Sequence, residues 1–310
     1  MALGLAVAAG ASLRAVAEQG PAAMRHIVIT FDDLPGVSQR STVASLDEIN
    51  ARLLATLRIE RVPVVGFVNE RSVDVEGERD ARTAILKRWL DARMELGNHT
   101  YSHPDLNSMS ADEYQVDILQ GELVTRKLLT ERGQTLRWFR HPFTHTGPTA
   151  EIKAQIDGFL GAHGYKVAPF TIEAADYAFA AVYERATLQT DETSDKVMAA
   201  YLTMTDERMA FYESLATDTF GREIPQVLLM HLNLLNADAM PELLRRLKAR
   251  GYSWISLSDA LRDEAYNTRD GYVGPSGPSW LHRWRVTLGK PDRLRDEPDP
   301  PEWVMRAFKR

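Results

Sequence analysis

Between residues 26 and 265 short apolar runs alternate with segments of helical period, which predicts a parallel α/β sheet closed as a (β/α) barrel. Two features of the runs carry this expectation. The first run, at 26–31, is rich in β-branched residues and free of internal charge, as a strand buried on both faces must be. Reactive side chains also recur just past their ends, where a barrel gathers its functional loops.

The first run is His26-Ile27-Val28-Ile29-Thr30-Phe31, broken by Asp32-Asp33-Leu34-Pro35-Gly36. Ser45-Leu46-Asp47-Glu48 has capping-box form ahead of Ile49, Leu53, Leu54 and Leu57, predicting the first helix. Residues 64–68 read as a second strand, 81–90 as a second helix and 94–97 as a third strand. Ser110-Ala111-Asp112-Glu113 is a second capping box, and the helix it opens is expected to run unbroken to Gly133. Further strands fall at 138–139, 165–168, 227–230 and 254–257, with helices at 152–160, 241–250 and 258–265 and a helical excursion at 193–215. Beyond Asp270 the chain turns to Gly, Pro, Trp and Arg, which predicts a loosely structured arm docked on the barrel by its tryptophans. The expected organisation is a leader over 1–19, a catalytic domain over 24–262 and an extension over 263–310.

A net charge of −6 and the absence of a basic stripe interleaved with aromatics argue against nucleic acid as a partner. With no cysteine, disulfides, thiolate metal sites and a cysteine nucleophile are excluded, so any metal must be held by His, Asp or Glu. Residues 2–10 form a short apolar run, and Ala15-Val16-Ala17 has the small-x-small form of a cleavage site. This predicts an exported, periplasmic or secreted protein, a frayed terminus or short helix being the alternative. No segment approaches the roughly 20 apolar residues of a membrane span.

His99 and His103 lie four positions apart in Gly97-Asn98-His99-Thr100-Tyr101-Ser102-His103-Pro104, close enough for both imidazoles to meet one cation. Two histidines and a carboxylate leave open positions for water and substrate, as a hydrolytic zinc-type site requires, and Asp33 is the natural third ligand. Asp32 is then free to act as general base. His231, after a late apolar run, would protonate a leaving group, and Arg140 would fix the base and keep it ionised. Each residue has a plainer role open to it: a helix cap or solvated turn for the aspartates, a core position for His231, a surface ion pair for Arg140. Phe143 and Trp138 are expected to pack the groove floor.

Thr30-Phe31-Asp32-Asp33, His99-Thr100-Tyr101-Ser102-His103, Arg140-His141-Pro142-Phe143 and Leu229-Met230-His231 resemble, in order, the motifs of the polysaccharide deacetylase family (NodB homology, carbohydrate esterase family 4). The resemblance implies a distorted (β/α) barrel and metal-dependent removal of acetyl groups from N-acetylated, less often O-acetylated, carbohydrate. It implies Asp32 as base, His231 as acid and Arg140 as partner of the base. Asp33, His99 and His103 would ligate a divalent metal, Zn²⁺ first, with Co²⁺ or Ni²⁺ compatible. Asp176, in Glu173-Ala174-Ala175-Asp176-Tyr177, would orient and charge His231, a helix-capping Asp being the alternative. Tyr177 replaces the family's usual Trp, Leu34-Pro35-Gly36 its Gly, and Leu232-Asn233 the Asp that many members carry. The last two alter the groove walls, which opens the groove to substrates other than the best-known chitin-type ones. Rival readings are a ferrous oxygenase with the same three ligand types, a non-sugar amide hydrolase on this fold, and an inactive sugar-binding relative.

Overall fold

The computed structural model describes residues 25–189 and 192–310, so the leader-like stretch lies outside the described residues. β1 (Arg25–Leu34) is central. α1 (Val43–Ile59) leads to β2 (Val64–Val68), α2 (Arg79–Asp91) to β3 (Glu95–Asn98), and α3 (Ala111–Gln120) with α4 (Leu123–Thr130) to β4 (Trp138–Phe139). α5 (Ala150–Ala162) precedes β5 (Lys166–Val167), which runs on to β6 (Ile172–Glu173) with no helix between them. α6 (Asp176–Leu188) and α7 (Thr193–Phe220) lead to β7 (Gln226–His231), and α8 (Leu234–Ala249) to β8 (Tyr252–Trp254) and the short α9 (Leu257–Ala260). The strand order is β5-β4-β3-β2-β1-β7-β6, with β8 on the start of β1, and every pairing is parallel. No described helix is long and apolar enough to cross a membrane.

The curled sheet stops short of closure, since β5 and β6 do not pair among the described residues. The chain itself bridges the gap. The Ala168 N–H bonds the Phe139 carbonyl on β4 at 2.8 Å, and three residues later the Thr171 N–H bonds the Val227 carbonyl on β7 at 2.9 Å. This is the distorted barrel expected from the sequence, with a covalent crossing in place of a last rung.

Several elements differ from the sequence reading for physical reasons. β1 continues through Asp32 and Asp33 to Leu34, its pairing with β2 shifting register between Phe31 and Leu34, so the aspartates sit in an irregularity of the strand rather than in a loop beyond it. α1 is capped by Thr42, whose side chain accepts from the Ser45 N–H, one turn before the Ser45 box. The Ser110–Glu113 capping box forms, but the helix it opens breaks at Gly121-Glu122. There the Thr100–Tyr101 backbone comes so close that a Cβ on Gly121 would lie 2.2 Å from the Thr100 carbonyl carbon. α7 is no excursion: it packs against α6, α8, β6 and the C-terminal extension as one of the covering helices.

The extension is built of helices, α10 (Trp280–Thr287) and α11 (Glu302–Phe308), rather than being a loose arm. α10 seals the gap in the sheet. The Trp280 N–H bonds the Phe170 carbonyl at 2.9 Å, the Ser279 hydroxyl bonds the Thr171 carbonyl at 2.7 Å, and the Trp280 ring meets Phe170 edge-on at 5.6 Å. Trp284, 1% exposed, lies edge-on between Phe220 and Tyr266 in the main core. Val304 of α11 joins a second core with Phe179, Tyr201 and Leu235. Trp284→Ala should therefore cost about 3–5 kcal/mol of unfolding free energy, read from urea denaturation. A loss below about 1 kcal/mol would mean that the core is complete without the extension.

Candidate active site

The sheet register brings the first two parts of the site together: β1 and β7 pair so that Asp32 lies directly beside His231. Asp32 is buried, and the guanidinium of Arg140, itself fully buried, lies 3.4 Å from its Oδ1 and donates to the Thr30 hydroxyl at 3.2 Å. Burial pushes the Asp32 carboxyl above the usual carboxylate range, while Arg140 and His231 pull the other way. It is a carboxylate with raised proton affinity, held in one place by a cation.

Asp33 takes a left-handed backbone conformation (φ 67°) that turns its carboxylate away from that of Asp32 and toward the loop after β3. Its Oδ1 lies 3.6 Å from His99 Nε2 and 3.5 Å from His103 Nε2. His99 Nδ1 is 2.7 Å from the Arg140 carbonyl, to which it can only donate, so the Nε2 lone pair faces Asp33. Burial holds the His99 imidazole well below its ordinary pKa and hence neutral, the form a metal needs. Ligands bound to Zn²⁺ at about 2.0–2.1 Å in a tetrahedron stand roughly 3.3 Å apart. Spacings of 3.5 and 3.6 Å therefore fit a small divalent cation with little movement. Asp33, His99 and His103 offer atoms all within 4.8 Å of one another.

The loop carrying the two histidines is gripped by residues that motif reading missed. Asp117 on α3 accepts from the Tyr101 N–H at 2.8 Å, the Ser102 N–H at 2.9 Å and the Ser102 hydroxyl at 2.6 Å. Asn98 accepts from the Thr100 N–H at 2.7 Å, and the Thr100 hydroxyl accepts from the His103 N–H at 3.2 Å. Thr100 (φ 68°) and His103 (φ 55°) are both left-handed, a strain these bonds hold in place. The sequence signal was a carboxylate three residues past Tyr114 in a helix that had to pack somewhere.

Asp176 opens α6 after a left-handed Ala175 (φ 51°). Its Oδ1 is 2.7 Å from His231 Nδ1, and its Oδ2 accepts from the His231 N–H at 2.7 Å and from the Asn236 side-chain amide. Burial works against both charges, yet the pair prevails: Asp176 is held below the usual carboxylate range, and Asp176 with Asp33 and Asp32 pushes His231 up to about 10. All seven residues singled out from the sequence thus lie around one cavity of 770 Å³ or directly behind its wall. Trp138 and Phe143 do not form its floor. Trp138 is buried near the opposite end of the strands, its indole N–H on Glu95, whereas Phe143 is 54% exposed within the cavity on a left-handed backbone (φ 54°).

Residues 19–167 match the family model described as polysaccharide deacetylase. A peptidoglycan-N-acetylglucosamine deacetylase of Bacillus cereus is 27% identical over 129 residues, which span 42% of this chain and 40% of that protein's length. Among solved structures, the polysaccharide deacetylase Bc1974 of Bacillus cereus superposes with a TM-score of 0.53 at 18% identity, covering 75% of this chain and 91% of that one. BA3943 of Bacillus anthracis, a CE4 family pseudoenzyme, superposes at 0.51 with 19% identity, covering 77% and 66%. At such identities the structures establish the shared fold. The matched segment, just under half of the chain, is thus similar to polysaccharide deacetylases, and the barrel as a whole shares its fold with solved members of that family.

Proposed function

We propose that the protein is a metal-dependent deacetylase acting on the acetamido group of an N-acetylated carbohydrate. The observation that carries this is one cavity in which Asp33, His99 and His103 converge, next to Asp32 with its partner Arg140 and His231 with its partner Asp176. A divalent cation on the three ligands, Zn²⁺ first and Co²⁺ or Ni²⁺ compatible, would polarise the acyl oxygen and acidify water. The rest falls to the chain itself. Asp32 takes the proton from the attacking water, its burial raising its affinity for that proton and Arg140 keeping it ionised beforehand. His231, cationic through Asp176, gives its Nε2 proton to the departing nitrogen. Because Asp176 accepts from Nδ1–H, Nε2 is the atom left to face the substrate.

Carbohydrate as the substrate class rests on the family match and on the Bacillus cereus relative, whose name makes it a peptidoglycan deacetylase. A wall polymer as substrate agrees with the export expected from residues 2–17. We take residues 24–262 as the catalytic barrel and 263–310 as an extension that completes it. A fold shared with a pseudoenzyme leaves the argument for turnover with the residue set, and Asp32, Asp33, His99, His103, Arg140, Asp176 and His231 are all in place.

Acetate release from chitin oligomers, peptidoglycan and acetyl-xylan, assayed with protein stripped of metal and reloaded with Zn²⁺ or Co²⁺, tests the reading directly. Metal-dependent release is expected, and none from any of them with metal bound would move the assignment to a non-sugar amide or to binding alone. Asp32→Asn should keep its metal and lose about 10²–10⁴ in kcat, whereas His103→Ala should lose metal and activity together. Metal analysis of both variants separates base from ligand. Asp176→Asn removes the carboxylate that holds His231 charged, so the acid loses its proton at lower pH. The high-pH limb of kcat should move down by about one to three units, and an unmoved limb would exclude His231 as the acid.

A further inference from the structure

The cavity contains a second imidazole held by a carboxylate, which the proposed reaction does not use. His145 Nδ1 lies 2.8 Å from Asp105 Oδ1, and the same oxygen accepts from the Asn107 N–H at 2.8 Å. This repeats the arrangement of Asp176, which also holds an imidazole Nδ1 and a backbone N–H. The Asn107 side-chain amide nitrogen also lies 2.8 Å from this Nδ1, so Nδ1 is engaged from two sides, and among the described residues Nε2 is the ring nitrogen left to meet a ligand. His99, His103, Phe143 and His145 form a row whose neighbouring ring centres are 5.0, 4.6 and 5.7 Å apart, so His145 stands one aromatic ring away from the metal ligands. A sugar whose acetamido group reaches the ligands would extend its ring along this row.

The segment that presents His145 is fixed from behind by the C-terminal extension, beyond the residues matched to the family model. Thr144 is left-handed (φ 56°), and its hydroxyl donates to the Gly277 carbonyl at 2.7 Å. Arg283 of α10, fully buried, donates to the Thr144 carbonyl at 2.6 Å and the Thr146 hydroxyl at 2.8 Å and pairs with Asp270 at 3.1 Å. Asn107 is tied to the Pro275 carbonyl at 2.9 Å. A loop this strained keeps its form only while these bonds over-determine it, and their effect is to keep one imidazole edge aimed into the cavity.

We propose that His145, anchored by Asp105 and held in place by the Arg283 clamp, is a specificity residue whose Nε2 hydrogen-bonds a hydroxyl or amide N–H of the sugar next to the scissile acetamido group. This rests on the carbohydrate reading above. It makes recognition of the sugar separable from recognition of the acetyl group, since the acetyl group is met by the metal ligands, Asp32 and His231.

The test is calorimetric binding of an N-acetylglucosamine tetramer to Zn²⁺-loaded protein in the Asp32→Asn background, which suppresses turnover. Adding His145→Ala should weaken binding roughly threefold to tenfold, the worth of one hydrogen bond. His145→Gln, whose amide reaches the position of Nε2, should restore most of it, with Zn²⁺ affinity equal in all three. With the otherwise unaltered enzyme, His145→Ala should raise KM for the tetramer and leave kcat/KM for p-nitrophenyl acetate, which has no sugar, unchanged. Equal tetramer affinity with and without His145 would overturn the proposal, and so would a parallel fall in Zn²⁺ affinity, which would make His145 a scaffold for the loop. A protein that binds the tetramer through His145 but releases no acetate would overturn the deacetylase reading and leave this subsite standing. Failure to bind the tetramer at all would overturn this subsite and leave the deacetylase reading to the acetate assay on the other substrates.

Discussion

Three electron-pair donors aimed at one point is the constraint on which the rest of this structure depends. A carboxylate oxygen lies 3.5 and 3.6 Å from two imidazole nitrogens, all three within 4.8 Å of one another, a spacing that a cation between them would satisfy. The backbone that points them there is strained at Asp33, Thr100 and His103. The surrounding structure reads as the apparatus that holds that arrangement. Asp117 and Asn98 bind the loop between the histidines, the Arg140 carbonyl fixes the tautomer of His99, and Gly121 leaves room for the loop backbone to lie against α3. The same Arg140 pairs with Asp32, so His99 and Asp32 are tied to a single residue after β4.

The members of the candidate site were legible in the sequence wherever they could be picked out by residue type at short spacing. His99 and His103, Asp32 beside Asp33, and Arg140 and His231 at strand ends could all be picked out, because a parallel sheet delivers strand ends to one rim whatever its detailed curvature. The expected parallel architecture also followed, since uncharged β-branched runs have few other places to go. What could not be read was set by distant backbone. The break in the helix after Ser110 comes from the Thr100–Tyr101 loop pressing on Gly121, and no local propensity encodes that. The strand through Asp32-Asp33 looked broken because the pattern shows two acids, whereas β7 and β2 supply the ladder that carries them. His145 and Asp105 lie forty positions apart and carry no motif spacing; only the fold makes them a pair.

The extension was misread for a different reason. Its Gly- and Pro-rich composition resembles a loose arm, and hydrophobic periodicity is faint in helices as short as α10 and α11. Yet each of its tryptophans has a designated partner. Trp280 meets Phe170 in the sheet's gap, Trp284 meets Phe220 and Tyr266, and Trp303 lies under the Lys196 ammonium. The half-buried Glu297 reaches Arg208 and His282, and Arg208 in turn pairs with Glu173 in the cavity wall. A segment that supplies both core side chains and the supports of a catalytic cavity is structurally part of the barrel.

The position of β1 has a consequence for how the molecule comes into being. The strand that bears both aspartates precedes all its partners in the chain, yet one of its edges is satisfied only by β7, nearly two hundred residues later, and its first residues by β8. Until those strands leave the ribosome, an apolar edge at the centre of the future sheet has bare N–H and C=O groups and is open to mispairing. Such long-range closure makes folding slow and leaves the nascent chain dependent on whatever shields it. The same arrangement means that a chain released before β7 cannot assemble the pair Asp32–His231.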